Sequence, residues 1–220
     1  MRTRVGVHVS LEQYLRLKHE IKEGRDVSQE MTKAVFLDRD GVLNELVYYK
    51  DGHVGSPITA RQLVVYPRAA ESINKIHSAG YEAIVISNQP GVAKKQFSNA
   101  ELLRMNGKIK RALSKEGAFL DGEYYCLHHP RALIKKYRVD CDCRKPKPGL
   151  ILRAAKERDL DLAKSFFVGD ALTDVQAGKA AGCKTVLIGQ MTDLLNRMME
   201  KHNAVPDFMI GSLAEIGEIL

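Results

Sequence analysis

Four short apolar runs punctuate the chain. Residues 34–38 (AVFLD) and 165–170 (SFFVGD) end in an acid, 82–87 (EAIVIS) ends in a hydroxyl, and 184–188 (KTVLI) is a fourth such run. None alternates strictly, so each reads as a strand buried on both faces. Helical patterns fill the gaps. One starts at Pro67 and runs to residue 79, stopped by Gly80. Ser98 and Glu101 make a capping box for a second helix over about 99–116, closed near Gly117. A third follows Pro148 to about Arg158, and a fourth spans 172–181 before Gly182. Strands alternating with helices predict an α/β fold with a central, mostly parallel sheet. In such sheets ligands bind beyond the carboxyl ends of the strands. Asp38, Ser87 and Asp170 each stand at such an end and are expected to converge.

Residues 1–33 precede the first core strand. Val5, Val7 and Val9 alternate like a short strand. Ser10 with Gln13 makes a capping box, and Leu11, Tyr14, Leu17 and Ile21 give one apolar face before Gly24. The expectation is an N-terminal strand and helix appended to a main domain over 34–220, packed on it or used as a partner contact.

Composition narrows the class. At 220 residues and 45% apolar, the chain can bury one domain's core. No run approaches the roughly 18 apolar residues of a membrane helix, no 20–50-residue repeat is visible, and the N-terminus lacks a signal-peptide core. A cytoplasmic protein without a membrane partner is expected. Net charge is +7, and Cys126–Gly149 alone holds seven Lys or Arg against two Asp. Such a run is ordinarily a solvated face; it also suits an anionic small substrate or nucleic acid. Because the charge is clustered and aromatics are only 6%, nucleic acid is the weaker reading. Three of the four cysteines, Cys126, Cys141 and Cys143, fall within 18 residues. Without a secretory signal, metal binding is a better reading than a disulfide framework.

Four motifs carry chemistry. In Asp38-Arg39-Asp40-Gly41, two acids one residue apart at a strand end can share a divalent cation, and Gly41 lets the chain turn away. Ser87-Asn88-Gln89 offers a hydroxyl and backbone N–H groups for phosphate oxygens. Arg144-Lys145 can neutralise phosphate charge. Gly169-Asp170-Ala171-Leu172-Thr173-Asp174 adds a further metal-binding acid in Asp170, with Asp174 either an outer partner or a helix N-terminal acid.

In this order and spacing the four motifs resemble the haloacid dehalogenase superfamily of phosphohydrolases over about residues 34–190. The resemblance implies a Rossmann-like three-layer sandwich with a minimal cap, and magnesium-dependent hydrolysis of a phosphomonoester through an aspartyl-phosphate. Carried across, Asp38 is the nucleophile and Asp40 the acid/base. Ser87 and Lys145 hold the phosphoryl group, and Asn88, Gln89 and Arg144 line the substrate. Magnesium falls to the Asp38 and Asp170 side chains and the Asp40 carbonyl. Cys126-x-His128 followed by Cys141-x-Cys143 is similar to the zinc loop of the histidinol-phosphatase-like branch. That likeness implies a closed, structural Cys3His zinc site at Cys126, His128, Cys141 and Cys143, with His129 outside it. A small sugar phosphate, best a heptose 1,7-bisphosphate, is the implied substrate; histidinol phosphate is the alternative, and the +7 charge leaves a nucleic-acid end as a weaker one. Two departures stand out. The stretch 45–66 is long, with Tyr48, Tyr49 and His53 within reach of a leaving group or simply facing solvent. Ala171 replaces the Lys or Arg common in these relatives.

Overall fold

A computed structural model describes residues 31–220. The appendage expected over residues 1–33 therefore falls almost wholly outside the described residues.

Strands β1 (Lys33–Leu37), β4 (Tyr81–Asn88), β5 (Gly122–Cys126), β6 (Phe166–Gly169), β7 (Lys184–Ile188) and β8 (Phe208–Ile210) form one six-stranded sheet in the order β5-β4-β1-β6-β7-β8. Every pairing in it is parallel. The four predicted strands are present within a residue or two of their expected bounds. The edge strands β5 and β8 had no clear pattern: β5 (GEYYC) is only partly buried over most of its length, and β8 has three residues.

Helices α1 (Ala69–Ser78), α2 (Asn99–Ser114), α3 (Gly149–Arg158) and α4 (Leu172–Ala181) match the four predicted; α5 (Asp193–Lys201) is additional. Ser98 caps α2 by accepting from Glu101 N at 3.1 Å, but the Glu101 carboxylate does not close the box. It accepts instead from Ala60 N and from Arg104.

Alternation along β1 and β4 builds the three layers. Val35, Leu37, Ala83 and Val85 pack with Ile73 and Ile76 of α1 and Met105 and Ile109 of α2. Ala34, Phe36, Ile84 and Ile86 face the other way, onto Leu150, Ile151 and Ala154 of α3 and Ala177 of α4. Burial of each large side chain contributes about 1.5–3 kcal/mol. Thr32–Leu220 makes one compact unit.

The cap is minimal. Between β1 and α1 the chain forms only an antiparallel pair, β2 (Val47–Tyr48) with β3 (Val54–Gly55). Lys108 of α2 fastens this insert by donating to the carbonyls of Ala60 and Leu63, at 3.0 and 2.6 Å. Because β1 pairs with β4 on one side and β6 on the other, a crevice opens at the carboxyl ends of these three strands.

Candidate active site

All three expected strand-end residues meet in that crevice. Asp38 follows β1, and its N–H bonds Val168 O at 3.0 Å, extending the β1–β6 ladder one step. Ser87 is buried near the end of β4, and Asp170 follows β6. Gly41 turns the chain at φ +83°, and a Cβ there would lie 1.9 Å from Asp170 Oδ2. Glycine is thus needed both for the backbone and for the close approach of the acid.

Lys145 stands at the centre, with its side chain 2% exposed. Its ammonium lies 3.0 Å from Asp38 Oδ1 and 2.7 Å from Asp174 Oδ1, and donates to Ile86 O at 3.0 Å. Burial disfavours its charge, but the two carboxylates more than compensate and hold its pKa above the usual lysine range. Burial raises the Asp38 pKa to about 6, with Asp174 and Asp40 adding repulsion while Lys145 and a Ser87 hydrogen bond pull it down. Burial, then Asp38 and Asp174, raise Asp170 to about 7.

Carboxylate oxygens of Asp38, Asp170 and Asp174 lie within 4.8 Å of one another. An all-oxygen, three-carboxylate group whose charges repel fits a hard divalent cation such as magnesium. Asp174, an open choice in the sequence, is buried here and forms the third corner. It also accepts from Ala171 N at 3.1 Å, and a side chain at Gly169 would collide with it.

The Asp40 carboxylate is not in this group. It turns to Arg39, to Asn44 Nδ2 at 3.0 Å and to Gln89 Nε2 at 2.7 Å. Gln89, expected to line the substrate, is buried, and its amide serves Asp40 and Ser87. Asn88 makes a two-way bridge to the Lys145 backbone, 3.1 Å each way, which ties the lysine loop to β4. Arg144 is half-buried and donates to His128 O at 3.2 Å. The sequence reading missed Arg39 and Asn106 as polar core partners. Asn106 could have been found, since it stands on the apolar face of α2 between Leu102, Met105 and Ile109.

The four expected zinc ligands also converge. Cys143 Sγ lies 3.3 Å from Cys126 Sγ, 3.2 Å from Cys141 Sγ and 3.3 Å from His128 Nδ1. The Cys126–Cys141 and Cys126–His128 separations are 3.7 and 4.0 Å. A tetrahedron with zinc–sulfur bonds near 2.3 Å has edges of about 3.8 Å; the separations run from 3.2 to 4.0 Å around that value, and three thiolates with one imidazole are a donor set that suits zinc. His129 stays outside, its Nδ1 accepting from Arg131 N. In the 45–66 stretch, Tyr48 is 84% exposed, and Tyr49 stacks on His53 at 4.3 Å.

Fold and site define a phosphohydrolase of the haloacid-dehalogenase type, and comparison with known proteins agrees. The HAD-hydrolase-like family model matches residues 142–216. A D-glycero-beta-D-manno-heptose-1,7-bisphosphate 7-phosphatase of Rhodopseudomonas palustris is 41% identical over 149 residues, covering 68% of this chain and 79% of the relative. The Pasteurella multocida enzyme of the same name is 40% identical, covering 72% and 82%. The crystal structure of D,D-heptose 1,7-bisphosphate phosphatase from B. bronchiseptica, complexed with magnesium and phosphate, aligns with TM-score 0.69 and 30% identity over 86% of this chain and 97% of that one. The chain belongs to the haloacid-dehalogenase-like phosphatases, in the family of these heptose-bisphosphate phosphatases.

Proposed function

We propose that this phosphatase removes one phosphoryl group from a D-glycero-D-manno-heptose 1,7-bisphosphate, in the cytoplasm, with magnesium at the catalytic acids and zinc in the cysteine loop. The observation that carries the substrate class is a cluster of cations on the loops that bear Lys145 and Gln89. Lys94 is half-buried, and burial together with Arg144 and Arg131 lowers its pKa. His129 is lowered by burial and by the same three cations. An anion bound at this cluster would relieve the repulsion, and a second phosphate supplies one, which a histidinol monophosphate does not. The names of the relatives point the same way. No helix among the described residues is long and apolar enough to cross a membrane.

Asp38 attacks phosphorus, and the ester bond to the sugar oxygen breaks as the aspartyl-phosphate forms. Asp40 gives its proton to that oxygen, then takes one from the water that splits the intermediate. Lys145 and the Ser87 hydroxyl hold phosphoryl oxygens, and Arg144 faces the rest of the substrate. Asn88 and Gln89 act on the substrate through the Lys145 loop and Asp40 that they hold. Asp38, Asp170 and the Asp40 carbonyl would bind magnesium, with Asp174 beside them. Magnesium held there would supply charge neutralisation at the phosphoryl oxygens. Cys126, His128, Cys141 and Cys143 would hold zinc and fix the loop carrying Arg144 and Lys145.

Initial-rate assays with heptose 1,7-bisphosphate, histidinol phosphate and hexose monophosphates test the substrate. A kcat/KM for the heptose at least about tenfold above the others is expected, the range that a single desolvated charge contact supplies. No preference for the bisphosphate overturns the reading. Asp38→Asn should remove turnover while the protein stays folded; activity near the unaltered level excludes Asp38 as nucleophile.

A further inference from the structure

Arg39 is fully buried, the largest side chain in the described protein to be so. Its Nε and Nη2 donate to Asp40 Oδ1 at 3.0 and 2.9 Å, and Nη2 also reaches Oδ2 at 3.1 Å. Its remaining edge is gripped from α2, where Nη1 donates to Asn106 Oδ1 at 3.1 Å. Asn106 is itself buried on an otherwise apolar helix face.

Stability alone does not explain this arrangement. Taking a guanidinium and a carboxylate out of water is costly, and an apolar residue of similar volume is often as stable or more so. What the charge adds is geometry. A planar fork fixes a carboxylate plane in a way that a point charge does not. Asp40 Oδ1 receives Arg39 twice and Asn44 once, which leaves it crowded. Oδ2 receives Gln89 and the long Arg39 contact, and is the oxygen with more room for a proton.

We propose that Arg39, braced by Asn106, is a positioning residue that sets the Asp40 carboxyl for proton delivery to the departing oxygen. The proposal rests on the acid/base role of Asp40. In that step the proton leaves Asp40 for the ester oxygen as the P–O bond breaks and the Asp38–P bond forms. The buried Arg39 side chain bonds only Asp40 and Asn106; its backbone N–H donates to Asp38 Oδ1 at 2.7 Å, a contact that side-chain substitutions leave in place.

Leaving-group chemistry gives the test. A sugar alkoxide needs a proton to depart, whereas p-nitrophenolate does not. kcat/KM reports the first, irreversible transfer for both. For Arg39→Met, kcat/KM with a sugar phosphate should fall about 10–100-fold, while that with p-nitrophenyl phosphate falls no more than about threefold. Asn106→Ala keeps the ion pair and should show the same selectivity at about three- to tenfold. It decides the question if Arg39→Met does not fold. Arg39→Lys should restore part of the loss. Equal losses on both substrates, or no loss, in the folded variants overturn the proposal. Asp40→Asn is measured alongside. A selective loss there without one at Arg39 and Asn106 refutes positioning alone. No selective loss at Asp40→Asn refutes the acid role and this proposal with it.

Discussion

The Lys145 ammonium lies 2.7 Å from an Asp174 carboxylate oxygen, with both side chains almost wholly buried. Lys145 also contacts Asp38, so one cation holds two acids that otherwise repel. Losing that cation should cost more than losing either acid. Lys145→Met leaves the buried carboxylates uncompensated and should lower stability by about 3–5 kcal/mol. Asp174→Asn keeps the shape and leaves Lys145 with Asp38, so a loss of about 1–3 kcal/mol is expected. Urea unfolding of both variants and the double mutant measures the coupling, and additive losses would refute a direct interaction.

Gly41→Ala tests the approach of Asp170 to the first motif. The positive φ alone should cost about 1 kcal/mol. The larger effect is displacement of Asp170, whose Oδ2 stands where the new Cβ must go. The magnesium concentration for half-maximal activity should rise about tenfold or more, since a shift of about 1 Å suffices for such losses. An unchanged magnesium dependence would place Asp170 outside the metal site.

Much of this site was legible because its residues end strands. Asp38, Ser87 and Asp170 follow apolar runs, and a parallel sheet brings such ends together. The cysteine cluster was legible from spacing, since Cys126-x-His128 and Cys141-x-Cys143 are compact ligand pairs. Side-chain direction was not legible. Gln89 and Asn88 sit in a phosphate-like motif, yet they point to Asp40 and to the Lys145 backbone. Arg39 lies between two acids in a charged tripeptide and gave no sign of being buried. Only its partner Asn106, polar on an apolar face, carried a readable hint. β5 and β8 escaped because edge strands need less burial, and so show less pattern.

With magnesium removed and zinc left in place, stability should depend on the acid cluster in an unusual sense. Burial raises Asp38 to about 6 and Asp170 to about 7, both above the ordinary 3.8. The folded state therefore binds protons more tightly than the unfolded chain. That contribution is fully present below pH 3.8 and is lost as pH rises through 6 to 7. Thermal unfolding of the magnesium-free, zinc-loaded protein should give a lower Tm at pH 8 than at pH 5.5. Added magnesium should remove most of the difference, because bound metal takes the place of the protons. A magnesium-free protein more stable at pH 8 would show that these acids are not buried together.

Zinc removal should separate the loop from the sheet. Cys126 ends β5, and His128, Cys141 and Cys143 lie on the stretch between β5 and α3 that also carries Arg144 and Lys145. One zinc per chain should survive dialysis, as expected when binding energy is part of folding energy. Cys141→Ser leaves two thiolates and one imidazole, and should release the metal and lower Tm. Activity should fall at any magnesium concentration, because Lys145 loses its fixed place beside Asp38. Asn88 still ties the Lys145 backbone to β4, so a residual rate is expected rather than none. Asn88→Ala in the Cys141→Ser background should remove that residue of activity, while Asn88→Ala alone, with zinc in place, should cost less. If Cys141→Ser keeps both its zinc and its Tm, the cysteine cluster does not stabilise the loop.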